Sequence, residues 1–218
     1  FFHGDSFVYD YPLGRAHYGD FGYVHIARVI SSDIKQLHKM GLDGYISCQE
    51  LRVSSPNALP NYVMGYTLFD ESADPQALIQ EYFTAAYGER AEQVLSYLNE
   101  LSTLSSCDYL NGKGPRTDPA IAHRMEQISQ LCQNSLPTPS TDGSPLFWEI
   151  LQYHREYILV LSRAMGALAR GDSQQAATGW YEMRELICKN ELKYQPFLDV
   201  YRILEVTRKY TGFPLSEG

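Results

Sequence analysis

Few side chains in this sequence are placed to do chemistry, and their spacing argues against several reactions before any fold is considered. The four cysteines, Cys48, Cys107, Cys132 and Cys188, stand 59, 25 and 56 residues apart. A structural zinc or iron–sulfur site needs closely spaced thiolates, and no CxxC or other ligand spacing occurs here. The cysteines are expected to be unpaired and mostly buried, with two disulfides as the alternative. Cys48 has no histidine beside it and reads as a small buried residue rather than a nucleophile. His3, His17, His25 and His38 also lack metal-ligand spacing, and His123 and His154 fall in helical stretches as surface or core groups.

What remains is neutral or acidic. Asp and Glu number 26 against 18 Lys and Arg, a net charge of −8. Such a surface repels phosphate backbones, so no nucleic-acid partner is expected. No run reaches the roughly 18–20 apolar residues of a membrane span, so no membrane partner is expected either. The 44% hydrophobic and 20% charged fractions are those of a globular chain. Tyrosine is abundant, with 17 copies. Its apolar ring and polar hydroxyl suit a carbohydrate cleft, and suit a layered helical core equally well. A neutral ligand such as a sugar fits the acidic balance, and no cofactor is expected.

The elements that would position these groups change character along the chain. Phe7-Val8-Tyr9-Asp10-Tyr11 is a short β-prone run closed by Pro12, which cannot donate to a ladder. A loop rich in Gly, His and Tyr follows, from Gly14 to Gly22. Ala27, Ile30, Ile34 and Leu37 then recur at helical spacing, with Gly41 placed to end the helix. Gly44–Cys48 is a second short strand and runs into Gln49, Glu50, Leu51 and Arg52. The order strand–loop–helix–strand is the βαβ unit of a parallel sheet. Within it, Asp10 has a plain role as a loop cap or a partner of Arg15 or Arg28, and Glu50 with Arg52 as a strand-end ion pair.

After Pro56 the sequence reads as helices alone. Asn57, Asp74, Asp118 and Asp172 are capping residues, and Pro75 and Pro119 fit the first helical position. Seven helices are expected, their apolar stripes including Val94, Leu98 and Leu101; Ile121, Met125 and Ile128; Ala176, Trp180 and Met183; and Tyr201 with Leu204. The fold class is therefore mainly α. Two parallel strands make no stable sheet by themselves, so strands from elsewhere are expected to complete this one. The chain opens on Phe1 rather than Met and has no secretory leader pattern, so it is expected to be a processed product or a piece of something longer.

The segments Asp43–Glu50, Pro56–Met64, Leu68-Phe69-Asp70, Glu81-Tyr82-Phe83 and Ala86-Tyr87-Gly88 together resemble a bacterial family of glycoside-hydrolase-like proteins, similar to the α-glucuronidase and β-hexosaminidase barrels. That resemblance implies the last βαβ of a (β/α)8 barrel over residues 1–70 and an all-α helical domain over 71–218. Phe7–Tyr11 would be strand seven and Gly44–Cys48 strand eight. Since barrel active sites lie at the C-terminal strand ends, Asp10, Tyr11, Gln49, Glu50 and Arg52 would contact substrate, with His17 and Tyr18 overhanging the cleft to stack on sugar. Asp10 and Glu50 would form a glycosidase pair only if the strand ends bring them within reach. In such barrels the general acid sits near the fourth strand, which this chain lacks. The implied function is to act on or bind carbohydrate as the C-terminal part of such a protein, inactive by itself. The alternative is a non-catalytic helical interaction module whose N-terminal strands pair with a partner chain.

Overall fold

The computed structural model describes residues 5–14, 16–48 and 52–213. It is mainly helical, with two short parallel strands. Strand β1 (Phe7–Asp10) is followed by a 3-10 turn at Ala16–Gly19, helix α1 (Val24–Ile34) and strand β2 (Gly44–Ser47). The register sets Phe7 against Gly44, Val8 against Tyr45, Tyr9 against Ile46 and Asp10 against Ser47. Helices α2 (Leu59–Phe69), α3 (Pro75–Tyr87), α4 (Ala91–Leu104), α5 (Cys107–Leu110), α6 (Pro119–Asn134), α7 (Pro145–Ala169), α8 (Ser173–Lys189), α9 (Glu191–Tyr194) and α10 (Val200–Thr211) follow. The seven expected helices correspond to the long ones. The two extra, α5 and α9, are single turns, too short to show an apolar period in sequence.

Helix starts follow the capping chemistry. Asp74 Oδ1 accepts from the Gln76 amide at 3.0 Å, Asp118 Oδ1 from Ala120 at 2.8 Å and Asp172 Oδ1 from Gln175 at 2.9 Å. Each cap satisfies an amide that the first helical turn leaves without a partner. Asn57 plays the same role one residue outside α2, with its Oδ1 accepting from the Leu59 amide at 3.1 Å.

A large core runs from Tyr18 and Val24 to Val206 and Phe213, with α7 packed along both α6 and α8. Ile121, Met125, Ile128, Ala176, Trp180 and Met183 are all buried. Two glycines mark where backbones come too close for a side chain. A Cβ on Gly22 would lie 1.8 Å from the Leu98 carbonyl of α4, and one on Gly179 would lie 2.9 Å from Ala164 of α7. Tyr201, expected on the apolar stripe of the last helix, is instead 73% exposed, because α10 turns Ile203, Val206 and Thr207 inward. The cysteines are unpaired as expected but not mostly buried: Cys132 is buried, while Cys48, Cys107 and Cys188 are exposed. Among the described residues, no helix is long and apolar enough to cross a membrane.

Alternate residues of a strand face opposite ways. Val8, Asp10, Tyr45 and Ser47 share the half-buried side. There Tyr45 packs on a small cluster of Leu13, Ile30, Ile34 and Val53, part of it from α1. Phe7, Tyr9 and Tyr11 share the other side with Gly44, Ile46 and Cys48. Among the described residues nothing covers that side: Phe7 is 63%, Tyr9 64%, Tyr11 55% and Ile46 52% exposed.

Candidate functional site

The strand ends bring Asp10, Tyr11, Tyr45 and Cys48 together. The Cys48 amide donates to the Asp10 carbonyl at 3.0 Å, extending the ladder past β2. The Asp10 carboxyl accepts on both oxygens, from the Tyr11 amide at 2.7 Å and the Tyr45 hydroxyl at 3.2 Å. Burial, reinforced by the Asp10 charge, pushes the Tyr45 phenol up to about 12, so it stays a proton donor. Asp10 thus lies on the α1-covered side of the sheet, held by a tyrosine of the next strand. It does not pair with Arg28, whose Nη1 donates instead to Asn99 Oδ1 at 2.9 Å. Gln49 and Glu50, like Arg15, lie outside the described residues, so the Asp10–Glu50 pair and the Glu50–Arg52 bridge do too.

The aromatic side of the same strand ends is chemically different. Tyr9 and Tyr11 meet edge to face with ring centroids 6.4 Å apart. The Tyr9 hydroxyl hydrogen-bonds with the Cys48 thiol, and this contact raises the Tyr9 phenol above its ordinary range. Two exposed rings on an otherwise apolar face suit stacking against a flat, weakly polar surface such as a sugar ring.

Arg52 is drawn away from the strand ends. Its Nη2 lies 3.0 Å from Asp199 Oδ2, its carbonyl accepts from the Asp199 amide at 3.1 Å, and the Ser54 amide donates to the Phe197 carbonyl at 2.8 Å. Segment 52–54 is thereby stitched to the residues just before α10, where Asp199 also caps the helix through the Arg202 amide at 3.0 Å. With its side chain 40% exposed, the Arg52 charge contributes modestly. Arg52→Met is expected to lower unfolding stability by about 0.5–1 kcal/mol in urea titrations. A loss above about 2 kcal/mol would mean that Arg52 does more than pair with Asp199.

His17 and Tyr18 do not overhang a cleft. The 3-10 turn at Ala16–Gly19 folds inward, leaving His17 0% and Tyr18 6% exposed. The His17 ring lies 3.9 Å from that of Tyr18 and 5.6 Å from that of Tyr23. Neither His17 nitrogen has a hydrogen-bond partner among the described residues. Burial, with a smaller contribution from the Arg202 charge, lowers the imidazole to about 3. His154 of α7 is similarly buried and lowered to about 3, with a backbone hydrogen bond to Phe21 partly opposing the shift. Around them lie Tyr157, whose hydroxyl sits 3.3 Å from Ser55 Oγ, and Asp20.

Asp20 is the organising group of this interior and was not singled out from sequence. It is 4% exposed. Its Oδ1 accepts from the Gly22 and Tyr23 amides, each at 3.1 Å, and from the Ser102 hydroxyl of α4, while Oδ2 accepts from the Ile26 amide at 2.8 Å. The signal was present: an aspartate just ahead of an amphipathic helix is a capping pattern. The turn it caps includes Tyr23 at a φ of 62°, a left-handed conformation costly for an aromatic residue and tolerable only where the surroundings fix it.

Among the described residues, no three or more His, Cys, Asp or Glu side chains are grouped to hold a metal ion. No family model matches the chain, and no curated protein or solved structure matches it either.

Proposed function

We propose that β1 and β2 are the terminal strands of a (β/α)8 barrel of the glycoside-hydrolase-like kind, and that the barrel they complete acts on or binds carbohydrate at its C-terminal strand ends. The observation that supports this reading is the bare sheet. Parallel strands are normally covered on both faces. Here one face presents Phe7, Tyr9, Tyr11 and Ile46 to solvent. The flanking helices also expose large apolar side chains, with Val29 of α1 50%, Tyr66 of α2 46% and Phe69 of α2 91% exposed. Neighbouring helices of a barrel ring would cover such residues. In this arrangement the aromatic face is the barrel interior, and Tyr11 stands at its mouth, where ligands bind. Asp10, turned toward α1, supports the strand end through Tyr45 rather than attacking a glycosidic bond. Glycoside hydrolysis takes a pair of carboxyl groups flanking the bond, so this chain by itself is expected to leave aryl-glycosides intact.

The same bare edges favour a second reading, a helical module that pairs its strands with another chain. Amide hydrogen exchange on the 218-residue chain tests both. The β1 and β2 amides are expected to exchange with little protection, while Met125, Leu161 and Met183 exchange only through global unfolding. Protection of β1 and β2 equal to that of the core would show a sheet already complete and overturn both readings. Protection gained only on mixing with a separate partner chain would decide for the second.

A further inference from the structure

The helical part of the chain carries a groove that neither reading uses. It lies between the C-terminal end of α6, segment 135–144 and the first turns of α7, and has a volume of about 470 Å³. That falls within the usual range for small-ligand sites, roughly 300–1,000 Å³. Leu136, Pro137, Pro139 and the largely buried Trp148 form its apolar wall, and Gln133, Asn134, Thr138, Glu149, Gln152 and Arg155 supply the polar groups.

These polar groups are mixed in kind and only partly engaged. Gln133, Asn134 and Thr138 make no hydrogen bond to another described side chain through their own side chains. Gln152 uses its Nε2 toward Glu156 Oε1 at 3.2 Å, leaving its carbonyl oxygen. Among the described residues, Arg155 approaches a carboxylate at 3.9 Å, from Nη2 to Glu156 Oε1, and its buried Nε has no hydrogen-bond partner. Glu149 is held 2.7 Å from Lys193, and this contact lowers its carboxyl below the ordinary range.

The chemistry selects against charged ligands. An anion would meet Glu149, Glu156 and the carbonyl end of α6, which carries partial negative charge. A cation would meet Arg155 and Lys193. A polyhydroxyl ligand suits the lining, because each hydroxyl can accept from the Arg155 guanidinium or an amide NH₂ and donate to a Gln, Asn or Glu oxygen. Its ring faces can lie on the wall of Leu136, Pro137 and Pro139. We propose that this groove binds a short neutral oligosaccharide. It would be a carbohydrate contact on the helical part, separate from the strand ends. The proposal rests on the carbohydrate reading only for the class of ligand.

The test is titration of the 218-residue chain with maltotriose, cellotriose and tri-N-acetylchitotriose, followed by calorimetry and by the side-chain amide signals of Gln133, Asn134 and Gln152. One of the three is expected to bind and to shift those signals. Arg155→Met should weaken binding at least tenfold. The exposed double variant Gln133→Ala/Asn134→Ala, which removes no internal hydrogen bond, should weaken it several-fold with an unchanged circular dichroism spectrum. Whatever Tyr11→Ala does at the strand ends, it should leave the shifts of the Gln133, Asn134 and Gln152 signals intact. Binding abolished by Tyr11→Ala but indifferent to the groove variants would overturn the groove and leave the strand-end reading standing. Absence of binding by all three sugars would also overturn the groove, while the hydrogen-exchange outcome for β1 and β2 would be unaffected.

Discussion

Asp20→Ala is expected to remove about 3–5 kcal/mol of unfolding stability, a large fraction of what a chain of this size possesses. The reason is the number of donors that one buried carboxyl serves. Three backbone amides, those of Gly22, Tyr23 and Ile26, and the Ser102 hydroxyl all point at it. Alanine leaves these donors facing an interior that water does not readily enter, and a buried unsatisfied donor costs about 1–3 kcal/mol. The damage would spread, because the turn holds Tyr23 left-handed and sets Gly22 against the Leu98 carbonyl. Asp20→Asn is expected to fall between the two, since its carbonyl oxygen can still serve Gly22, Tyr23 and Ser102 while its NH₂ opposes the Ile26 amide. Asp70→Ala provides the comparison. Asp70 caps an exposed turn through the Ser72 amide at 2.9 Å, and its loss is expected to cost no more than about 1 kcal/mol. Urea unfolding at neutral pH measures all three. A loss below about 1 kcal/mol for Asp20→Ala would mean that the loop re-forms its hydrogen bonds elsewhere.

The contrast between Asp20 and Asp10 shows which parts of the molecule were legible in sequence. Periodic features came through. The stripes of α6 and α8 are buried as their spacing predicts, and the aspartate–proline starts of α3 and α6 hold their amides. These signals are local, each complete within a few residues. The parallel pairing of β1 with β2 was also readable, since strand–helix–strand order restricts the alternatives. What sequence could not supply was the inward fold of residues 16–23. A segment rich in Gly, His and Tyr has the composition of a surface loop, yet it is buried because Asp20, Ser102 and Gly22 lock it onto α4 across some 80 positions. Such a contact has no period. Arg52 followed the same pattern: its partner Asp199 is 147 residues away, so strand-end proximity suggested ligand contact where the structure has an ion pair. At Asp10 the strand end lies where the spacing puts it, and the facing is settled by the pairing. Parity along β1 puts Asp10 on the same side as Val8, under α1, and leaves Tyr9 and Tyr11 on the open side.

The buried histidines make the fold sensitive to mild acid. His17 and His154 are 0% and 1% exposed. Both imidazoles are lowered to about 3 from an ordinary 6.5, chiefly because burial disfavours the charged form. The unfolded chain therefore binds protons in the window between 6.5 and 3 that the folded chain refuses, so stability rises with pH there and is lost as pH falls. Between pH 7 and pH 5 each histidine should remove about 2 kcal/mol, and the pair about 4 kcal/mol. The groups facing them reinforce the sign at His17, where the Arg202 charge repels a proton. At His154 the Phe21 backbone hydrogen bond opposes it without reversing it. Asp70, Asp142 and Glu149, whose carboxyls hydrogen bonds and nearby charge hold below their ordinary range, also lose their contribution as pH falls, in the same direction as the histidines. Urea unfolding at pH 7, 6 and 5 should show the midpoint falling steadily. His154→Leu, which removes one titrating ring from α7, should roughly halve the slope even if it lowers stability at pH 7, and His17→Phe should do the same from the turn. A midpoint that holds constant from pH 7 to pH 5 in the unmodified chain would show that both rings protonate without cost, which requires water or a counter-charge to reach them in the interior.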